Sequence, residues 1–322
     1  MAFSGQNRIS VALCTYNGER FLPQQLVSIQ RQTRLPDEVV VCDDRSTDRT
    51  VEMVHAFAGS VSFPVRVFVN ERNLGSAANF AQAIGLCEGN LIALSDQDDI
   101  WYPTRLERSE QELAAHPEAG LVFSDGDIID DQDQLLGTRL WTYFGFAGEV
   151  RERLLAGDYT VVVKNRFVTG ATVMFRSELR QVCLPIGPGW IHDEWIVAAT
   201  AAVADLRPID LPLIRYRKHP AQQVGLTPKP SFREKNRRHW SDLSRQIGLL
   251  QEICNRLSAQ VLSERGHALL TCYQAQLRFA RFRYGLPGGR LARLSTMLRE
   301  YPSYSACGSG VLSMATDFVA SK

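Results

Sequence analysis

In the first hundred residues, strand-like and helix-like runs alternate, and each of three strand-like runs ends on a cluster of polar side chains. Apolar residues 9–14 lead into the turn Thr15-Tyr16-Asn17-Gly18, after which Phe21, Leu22, Gln25, Leu26 and Ile29 recur at helical spacing up to Leu35-Pro36. A second strand at 39–42 stops at Asp43-Asp44-Arg45-Ser46-Thr47-Asp48. Val51, Val54 and Phe57 then mark a helix whose start is rich in capping residues. Residues 65–69 form a third strand, 76–86 an alanine-rich helix, and 91–94 a fourth strand running into Ser95-Asp96-Gln97-Asp98-Asp99. This alternation predicts a parallel sheet covered by helices. Open sheets of that kind bind ligands beyond the carboxyl ends of their strands, so the polar clusters are expected on one crevice.

The pattern changes near Gly120. A strand at 121–124 precedes a polar stretch at 125–134, and residues 161–175 contain two β-rich runs. Gly187-Pro188-Gly189 is a loop and 191–205 a helix. Proline-rich turns follow at Pro208, Pro212, Pro220, Pro228 and Pro230, the last two resembling an interdomain linker. Beyond them Trp240, Leu243, Ile247, Leu250, Cys254, Leu257 and Val261, and then Leu270, Tyr273, Leu277, Ala280 and Tyr284, keep three-and-four spacing. Two amphipathic helices joined near Gly266 are expected.

With 322 residues and 45% hydrophobic content the chain can bury a large core. Its start does not resemble a secretory signal, and no apolar run reaches the roughly 18 to 20 residues that cross a bilayer. Seven cysteines form no C-x-x-C pair, and several sit within apolar runs, which points to a reducing cytoplasm. The net charge of +1 hides an asymmetry, because residues 231–300 hold 13 Lys/Arg against 5 Asp/Glu.

Asp96 and Asp98 stand two apart at a strand end, a spacing at which both carboxylates can serve one hard divalent cation, Mg²⁺ or Mn²⁺. Such an ion on a diphosphate would stabilise a departing nucleoside diphosphate as a Lewis acid. A lone Asp-x-Asp occurs in many solvated turns. Here it shares a sheet edge with Asp43, Asp44 and Thr15-Tyr16-Asn17. Tyr16 offers a flat face to a base, and a carboxylate on the second strand can accept the imide N–H of uracil or thymine. A dinucleotide-binding dehydrogenase is disfavoured, since no Gly-x-Gly-x-x-Gly follows the first strand.

Taken in order, Val11-Ala12-Leu13-Cys14-Thr15-Tyr16-Asn17-Gly18, the cluster Cys42 to Asp48, Asn73-Leu74-Gly75 with Asn79, and Ser95-Asp96-Gln97-Asp98-Asp99-Ile100-Trp101 resemble the successive motifs of family 2 glycosyltransferases. The resemblance covers roughly residues 8 to 225. It implies a GT-A fold (a Rossmann-like mixed sheet flanked by helices), a nucleotide-diphosphate sugar donor, a divalent metal and inversion at the anomeric carbon. Residues 1–228 would be the catalytic domain, 1–100 its nucleotide-binding half and 101–228 its acceptor half, with 229–322 a basic helical extension.

Roles carried over by position make Asp44 the base reader and Tyr16 the stacking residue, with Thr15, Asn17, Asp43 and Arg72 as further nucleotide contacts. Asp96 and Asp98 become the metal pair, Asp98 the more direct ligand, while Asp99 binds the donor sugar or orients a ligand. His192-Asp193-Glu194-Trp195 resembles the segment that supplies the base deprotonating the acceptor hydroxyl; Asp193 is the choice and Glu194 the alternative. Trp195 is either a core residue or an acceptor platform. Tyr216-Arg217-Lys218-His219 is similar to a late Tyr-Arg-x-His pattern in which a histidine or basic residue reaches the metal or diphosphate; His219 would be a third metal ligand, or Arg217 and Lys218 would instead hold phosphate.

Within the family these motifs resemble those of rhamnosyltransferases, which implies dTDP-rhamnose as donor, with UDP-hexose or UDP-N-acetylhexosamine open because thymine and uracil share an imide edge. The expected acceptor is a bacterial surface glycan, free or lipid-linked; nucleic acid is not an expected partner. The basic extension could meet an anionic membrane from the cytoplasmic side, pack on the catalytic domain, or meet another subunit. Competing classes are a nucleotidyltransferase-like enzyme and an inactive sugar- or partner-binding module.

Overall fold

Every residue of β1 (Ile9–Thr15) and β2 (Glu38–Asp43) is buried, which is why these strands read as continuous rather than alternating apolar runs. In the computed structural model, which describes residues 7–220, 222, 232–308 and 310–320, they pair in parallel with β3 (Val65–Val69) and β4 (Leu91–Ser95). The crossovers are α1 (Leu22–Gln30), α2 (Thr50–Ala58) and α3 (Ser76–Leu86), as the periodicity predicts. The spatial order is β3-β2-β1-β4, so the winding reverses between β1 and β4. At such a switch point the segments leaving neighbouring strands diverge and leave a crevice. Thr15 stands beside Asp43 in the register, and Leu13 beside Ser95.

The second half of the sheet contains β5 (Ile100–Trp101), β6 (Ala119–Ile129), β7 (Leu135–Arg139), β8 (Val173–Arg176) and β9 (Asp205–Arg217). From β4 the order continues β8-β6-β9-β5, with β7 paired to β6. Strand β8 is antiparallel to both neighbours, and β9 runs parallel to β6. Helices α4 (Arg105–Ala115), α5 (Leu140–Phe144), α6 (Gly148–Leu155), α7 (Arg180–Cys183) and α8 (His192–Ala201) complete this half.

Several boundaries differ from those expected. Strand β6 continues through Asp125 and Asp127, because Asp125 accepts from the backbone N–H of Gly126 and Trp141, and Asp127 pairs with Arg139 at 3.0 Å. Of the two β-rich runs only β8 is a strand; residues 159–163 form a 3-10 turn begun by Asp158, which accepts from Thr160 N. Helix α8 ends at Ala201, and Asp205 already opens β9. Pro208 and Pro212 lie inside β9 rather than in turns. The β6–β9 register shifts between Ser124 and Asp125, opposite Ile209 and Pro212, so the strand accommodates residues that cannot donate to a ladder. Trp195 is fully buried and donates to Cys183 O at 2.7 Å, which makes it a core residue.

By backbone contacts the chain forms two compact units, Met1–Ile186 with Trp190–Gly225, and Gly187–Gly189 with Leu226–Lys322. The linker expected at Pro228 and Pro230 lies outside the described residues. The second unit contains α9 (Phe232–Ser258), α10 (Glu264–Tyr284), α11 (Arg290–Arg299), α12 (Tyr301–Cys307) and α13 (Val311–Val319). Gly266 sits in the first turn of α10, capped by Ser263, and the preceding reversal leaves Val261 almost wholly exposed, not on a helical stripe. The last three helices were not anticipated. Their inward positions include charged residues: Asp317 is buried and accepts from both Arg283 Nε and Nη2 (2.8 and 2.6 Å) and from Tyr304 OH, with His239 Nε2 at 2.8 Å. Burial alone would raise the Asp317 carboxyl, but the hydrogen bonds from His239 and Arg283 hold it below the usual range. No helix among the described residues is long and apolar enough to cross a membrane.

Candidate active site

The carboxyl ends of β1 and β4 open onto a cavity of about 540 Å³. Thr15, Tyr16, Asn17, Asp44, Asp96, Gln97, Asp98, His192, Asp193, Tyr216 and His219 line it. Of the residues singled out in the sequence, it therefore gathers the β1 cluster, one carboxylate from β2, both members of the Asp-x-Asp pair, the expected base and the late histidine. Asp43, Arg72 and Asp99 are not in the lining.

The reasons differ for those three. The Asp43 carboxylate is occupied by Thr15 Oγ1 (2.8 Å), Ser46 N (2.7 Å) and Ser46 Oγ (2.6 Å), so it ties the loops after β1 and β2 together rather than facing a ligand. Asn17 extends that tie, accepting from Thr47 N and donating its backbone N–H to Ser46 Oγ, both at 2.8 Å. Arg72 is exposed on the loop before α3. Asp99 is fully buried and accepts from Arg217 N at 2.9 Å, which makes it a brace between β4 and β9; burial, with Asp98 and Asp96 nearby, pushes its carboxyl well up.

Asp44 keeps a place for a ligand. Its Oδ1 accepts from Asn70 Nδ2 (3.0 Å) and Leu74 N (2.7 Å), and its Oδ2 accepts from Gly75 N alone (2.8 Å). A carboxylate oxygen has two lone-pair positions, so Oδ2 retains one acceptor site. Gly75 has φ +83°, a left-handed conformation that favours glycine, and this lets successive N–H groups of the Asn73-Leu74-Gly75 turn converge on one carboxylate.

Gln97, between the two aspartates, has no role assigned from the sequence. Its Oε1 accepts from Tyr16 N at 2.8 Å and its Nε2 donates to Tyr16 O at 2.9 Å, clamping the backbone that carries the aromatic ring. A Cβ on Gly18 would collide with this amide, which explains the glycine there. Removing two hydrogen bonds at about 1 kcal/mol each should let Tyr16 move. We expect Gln97→Ala to weaken nucleotide binding about tenfold in calorimetry with a fall of only a few degrees in melting temperature. A change below about twofold would remove the clamp from the account.

The acidic end is unbalanced in charge. Asp96 shares the cavity with Asp98 and Asp193, and burial followed by those two carboxylates raises its pKa to about 8, against which Arg105 acts. Arg105 is buried beneath the cluster, donating to Leu94 O, Ala171 O and Val173 O, with its guanidinium 3.7 Å above the Trp101 ring. Burial lowers this arginine to about 9, while Asp99 and Asp96 oppose the shift. An arginine at the first position of α4 runs against the helix dipole. That anomaly was a sequence signal for a cation held by something other than its helix.

The Asp96 shift has a stability consequence for the metal-free protein. Its folded carboxyl binds a proton up to about pH 8 and its unfolded one only to about pH 4, so between them the folded state holds more protons. Stability then falls as pH rises, by up to about 1.4 kcal/mol per unit from this group. Asp96→Asn should therefore melt higher than the wild type at pH 8 and flatten this fall, while losing function. Parallel pH–stability curves for the two proteins would show that the raised carboxyl is not felt.

His219 Nε2 lies 2.8 Å from Asp98 Oδ2, with its ring 4.7 Å from Phe21. The expected trio Asp96, Asp98 and His219 is not a ready-made cage: among the described residues no three His, Cys, Asp or Glu side chains stand close enough to hold a metal ion. The carboxylates nevertheless suit a hard cation that takes most of its oxygen ligands from diphosphate and water, as Mg²⁺ does. Arg217 is not available for phosphate. It is buried, and its guanidinium donates to Asp98 O, Asp130 O, Asp133 Oδ1 and Gln24 Oε1. Lys218 is exposed and outside the lining.

Across the cavity Asp193, in the first turn of α8, accepts from Gly170 N (2.9 Å) through Oδ2 and from Glu194 N (2.7 Å) through Oδ1. Each oxygen keeps a further acceptor position. Glu194 instead pairs with Arg166 at 3.0 Å and does not line the cavity, which separates the two candidates for a base. His192 stacks on Phe80 with centroids 3.8 Å apart, and burial lowers the pKa of its imidazole, against which Asp193 acts. Gly170 is required beneath it, since a Cβ there would strike the ring. Five of the seven cysteines are buried, and burial raises the Cys42 and Cys87 thiols to about 12, so neither serves as a nucleophile.

Residues 10–176 match the family described as Glycosyl transferase family 2. A putative glycosyltransferase of Bacillus subtilis, EpsE, is 31% identical over 133 residues, covering 41% of this chain and 48% of the relative. The chain thus spans about half or less of the length of the curated relatives it matches first. Among solved structures, residues 1–349 of S. aureus TarS in complex with UDP superpose with a TM-score of 0.57 at 14% identity, over 97% of this chain and 89% of that one. The mannosyltransferase PcManGT of Pyrobaculum calidifontis, in complex with GDP-Man and Mn²⁺, gives 0.52 at 18% identity, over 97% and 80%. At these identities the likeness is one of fold.

Proposed function

The chain belongs to glycosyl transferase family 2 and has the GT-A fold, and on that premise we propose that it transfers a sugar from a pyrimidine nucleoside-diphosphate donor to a glycan hydroxyl with inversion. The observation that carries this reading is the placement of Tyr16 and Asp44, Asp96 and Asp98, and Asp193 around one cavity at the switch point.

Each group has a stated task. Tyr16, held by Gln97, stacks on the base, and the open position on Asp44 Oδ2 accepts the imide N–H of uracil or thymine. Asp98, with Asp96 and His219 beside it, would hold Mg²⁺ or Mn²⁺ on the diphosphate; when bound, the cation stabilises the charge of the leaving group. PcManGT, which shares the fold, binds GDP-Man with Mn²⁺. Asp193, fixed by Gly170 N, accepts the proton of the acceptor hydroxyl as its oxygen attacks the anomeric carbon opposite the diphosphate. Attack from that side inverts the configuration, and no covalent sugar–enzyme intermediate is formed.

The motif resemblance favours dTDP-rhamnose as donor and a bacterial surface glycan, free or lipid-linked, as acceptor. Incubating the protein and Mn²⁺ with labelled dTDP-rhamnose, UDP-glucose, UDP-N-acetylglucosamine and GDP-mannose, together with a lipid-linked glycan extract, tests this directly. Label from a pyrimidine-linked donor should pass to the glycan. Transfer from GDP-mannose alone would overturn the base assignment, and transfer from none would overturn the proposal.

A further inference from the structure

The second compact unit has two helices that are inside out. On α11 the positions turned to the core of the unit are Arg293 and Met297, while Leu291, Leu294 and Leu298 are exposed, Leu291 by 85% and Leu298 by 61%. At 100° per residue these three leucines fall within an arc of about 60°, centred about 110° from the buried positions. On α13 the buried positions include Met314 and Asp317, and Val311 (68%), Leu312 (69%), Ala315 and Val319 form an exposed apolar face. The inversion is held from within: Arg293 Nη1 donates to the carbonyls of Asp317 and Ala320 at 2.9 and 2.7 Å, and Asp317 is satisfied by Arg283 and Tyr304. The outward aliphatic faces are thus fixed by a buried polar network rather than by frayed helices. A water-facing helix ordinarily shows the reverse pattern.

Charge decides what covers these faces. Residues 226–322 carry 15 Lys/Arg against 6 Asp/Glu, whereas residues 1–225 carry 21 against 29. Arg265, Arg278, Arg281 and Arg299 of the helical unit are exposed, and Tyr301, exposed at the junction of α11 and α12, is of the residue type that settles at headgroup level. Two copies meeting through this unit would bring like charge together, whereas an anionic bilayer complements it, with arginines at the headgroups and leucines in the acyl boundary.

We propose that α11 and α13 are an interfacial membrane-docking surface for anionic phospholipid, with Leu291, Leu294, Leu298, Val311 and Leu312 as the inserting side chains. The helices lie on the bilayer and do not span it, in keeping with the absence of any spanning helix among the described residues. This inference does not depend on the reading of the cavity.

Flotation of the full chain with phosphatidylcholine vesicles, with and without anionic phosphatidylglycerol, tests it. Leu291→Ser/Leu298→Ser and Val311→Ser/Leu312→Ser change exposed positions only, and matching melting curves would certify their folds. The wild type should float with anionic vesicles and each double variant should lose about tenfold or more in partitioning, with nucleotide binding unchanged. Equal flotation of wild type and variants would overturn the apolar insertion, and no flotation of the wild type would overturn the surface altogether. Concentration-dependent dimerisation that the serines abolish, without vesicle binding, would assign the faces to a second copy instead.

Discussion

Asp193→Asn is expected to lower kcat by about 10³-fold while leaving nucleotide affinity within about twofold of wild type. The asparagine can still accept from Gly170 N through its one oxygen but forfeits the bond from Glu194 N, so the start of α8 should keep its place at a cost of about 1 kcal/mol in stability. It cannot take up a proton, and an acceptor hydroxyl would then have to attack without a base. Glu194 supplies no rescue because it is paired with Arg166 and lies outside the cavity lining. Single-turnover transfer measured beside calorimetry of the nucleoside diphosphate separates the two effects. A variant that loses binding and transfer together would place Asp193 on the donor instead.

Asp98→Asn should fail in the opposite way. Here the expected loss is cation-dependent nucleotide binding itself, by about 100-fold or more, because an amide oxygen is a poor substitute for a charged hard ligand. The residual affinity should match that of the wild type in chelator, since stacking on Tyr16 and recognition by Asp44 do not use the cation. His219, whose Nε2 sits 2.8 Å from Asp98 Oδ2, would lose its carboxylate partner but keep its packing on Phe21. Calorimetric titration of both proteins with and without Mn²⁺ is the check. Retention of the full Mn²⁺ effect in the variant would move the metal site away from Asp98.

Tyr16, Asp44, Asp96 and Asp98 were legible because strands β1, β2 and β4, which they follow, announce themselves as unbroken apolar runs, whereas Asp193 and His219 were legible only through the motifs that their segments resemble. Asp43 and Asp44 could not be told apart in sequence. Which carboxylate turns inward to Ser46 and which meets the Leu74 and Gly75 N–H groups depends on the loop path, not on composition. The same holds for Arg217, whose sequence context suggests phosphate binding but whose guanidinium is consumed by Asp98 O, Asp130 O, Asp133 and Gln24, from segments more than 80 residues away.

Contacts between segments distant in the chain also hid Gln97 and Arg105. A glutamine between two aspartates shows no role until Tyr16, 81 residues earlier, is seen to run beside it. In the second half of the fold the weaker signals were the mixed ones. Strand β6 carries aspartates that local partners satisfy, and β9 carries prolines that a register shift accommodates, so both broke the simple alternation on which strand recognition rests. Helices α11 and α13 carry ordinary helical spacing in Leu291, Leu294 and Leu298 and in Val311, Leu312, Ala315 and Val319; what the sequence does not show is that these apolar faces turn outward while Arg293 and Asp317 turn in.

The central claim is that the crevice between β1 and β4 takes a pyrimidine nucleoside diphosphate together with a divalent cation. Thermal unfolding of the full chain with UDP, dTDP, GDP and ADP, each with and without Mn²⁺, tests it most directly. UDP and dTDP with Mn²⁺, at about 100 times their dissociation constants, should stabilise the protein by about 2.7 kcal/mol, and neither should do so in chelator or in Asp98→Asn. Stabilisation by purine diphosphates to the same degree, or by none of the four with Mn²⁺ present, would contradict it.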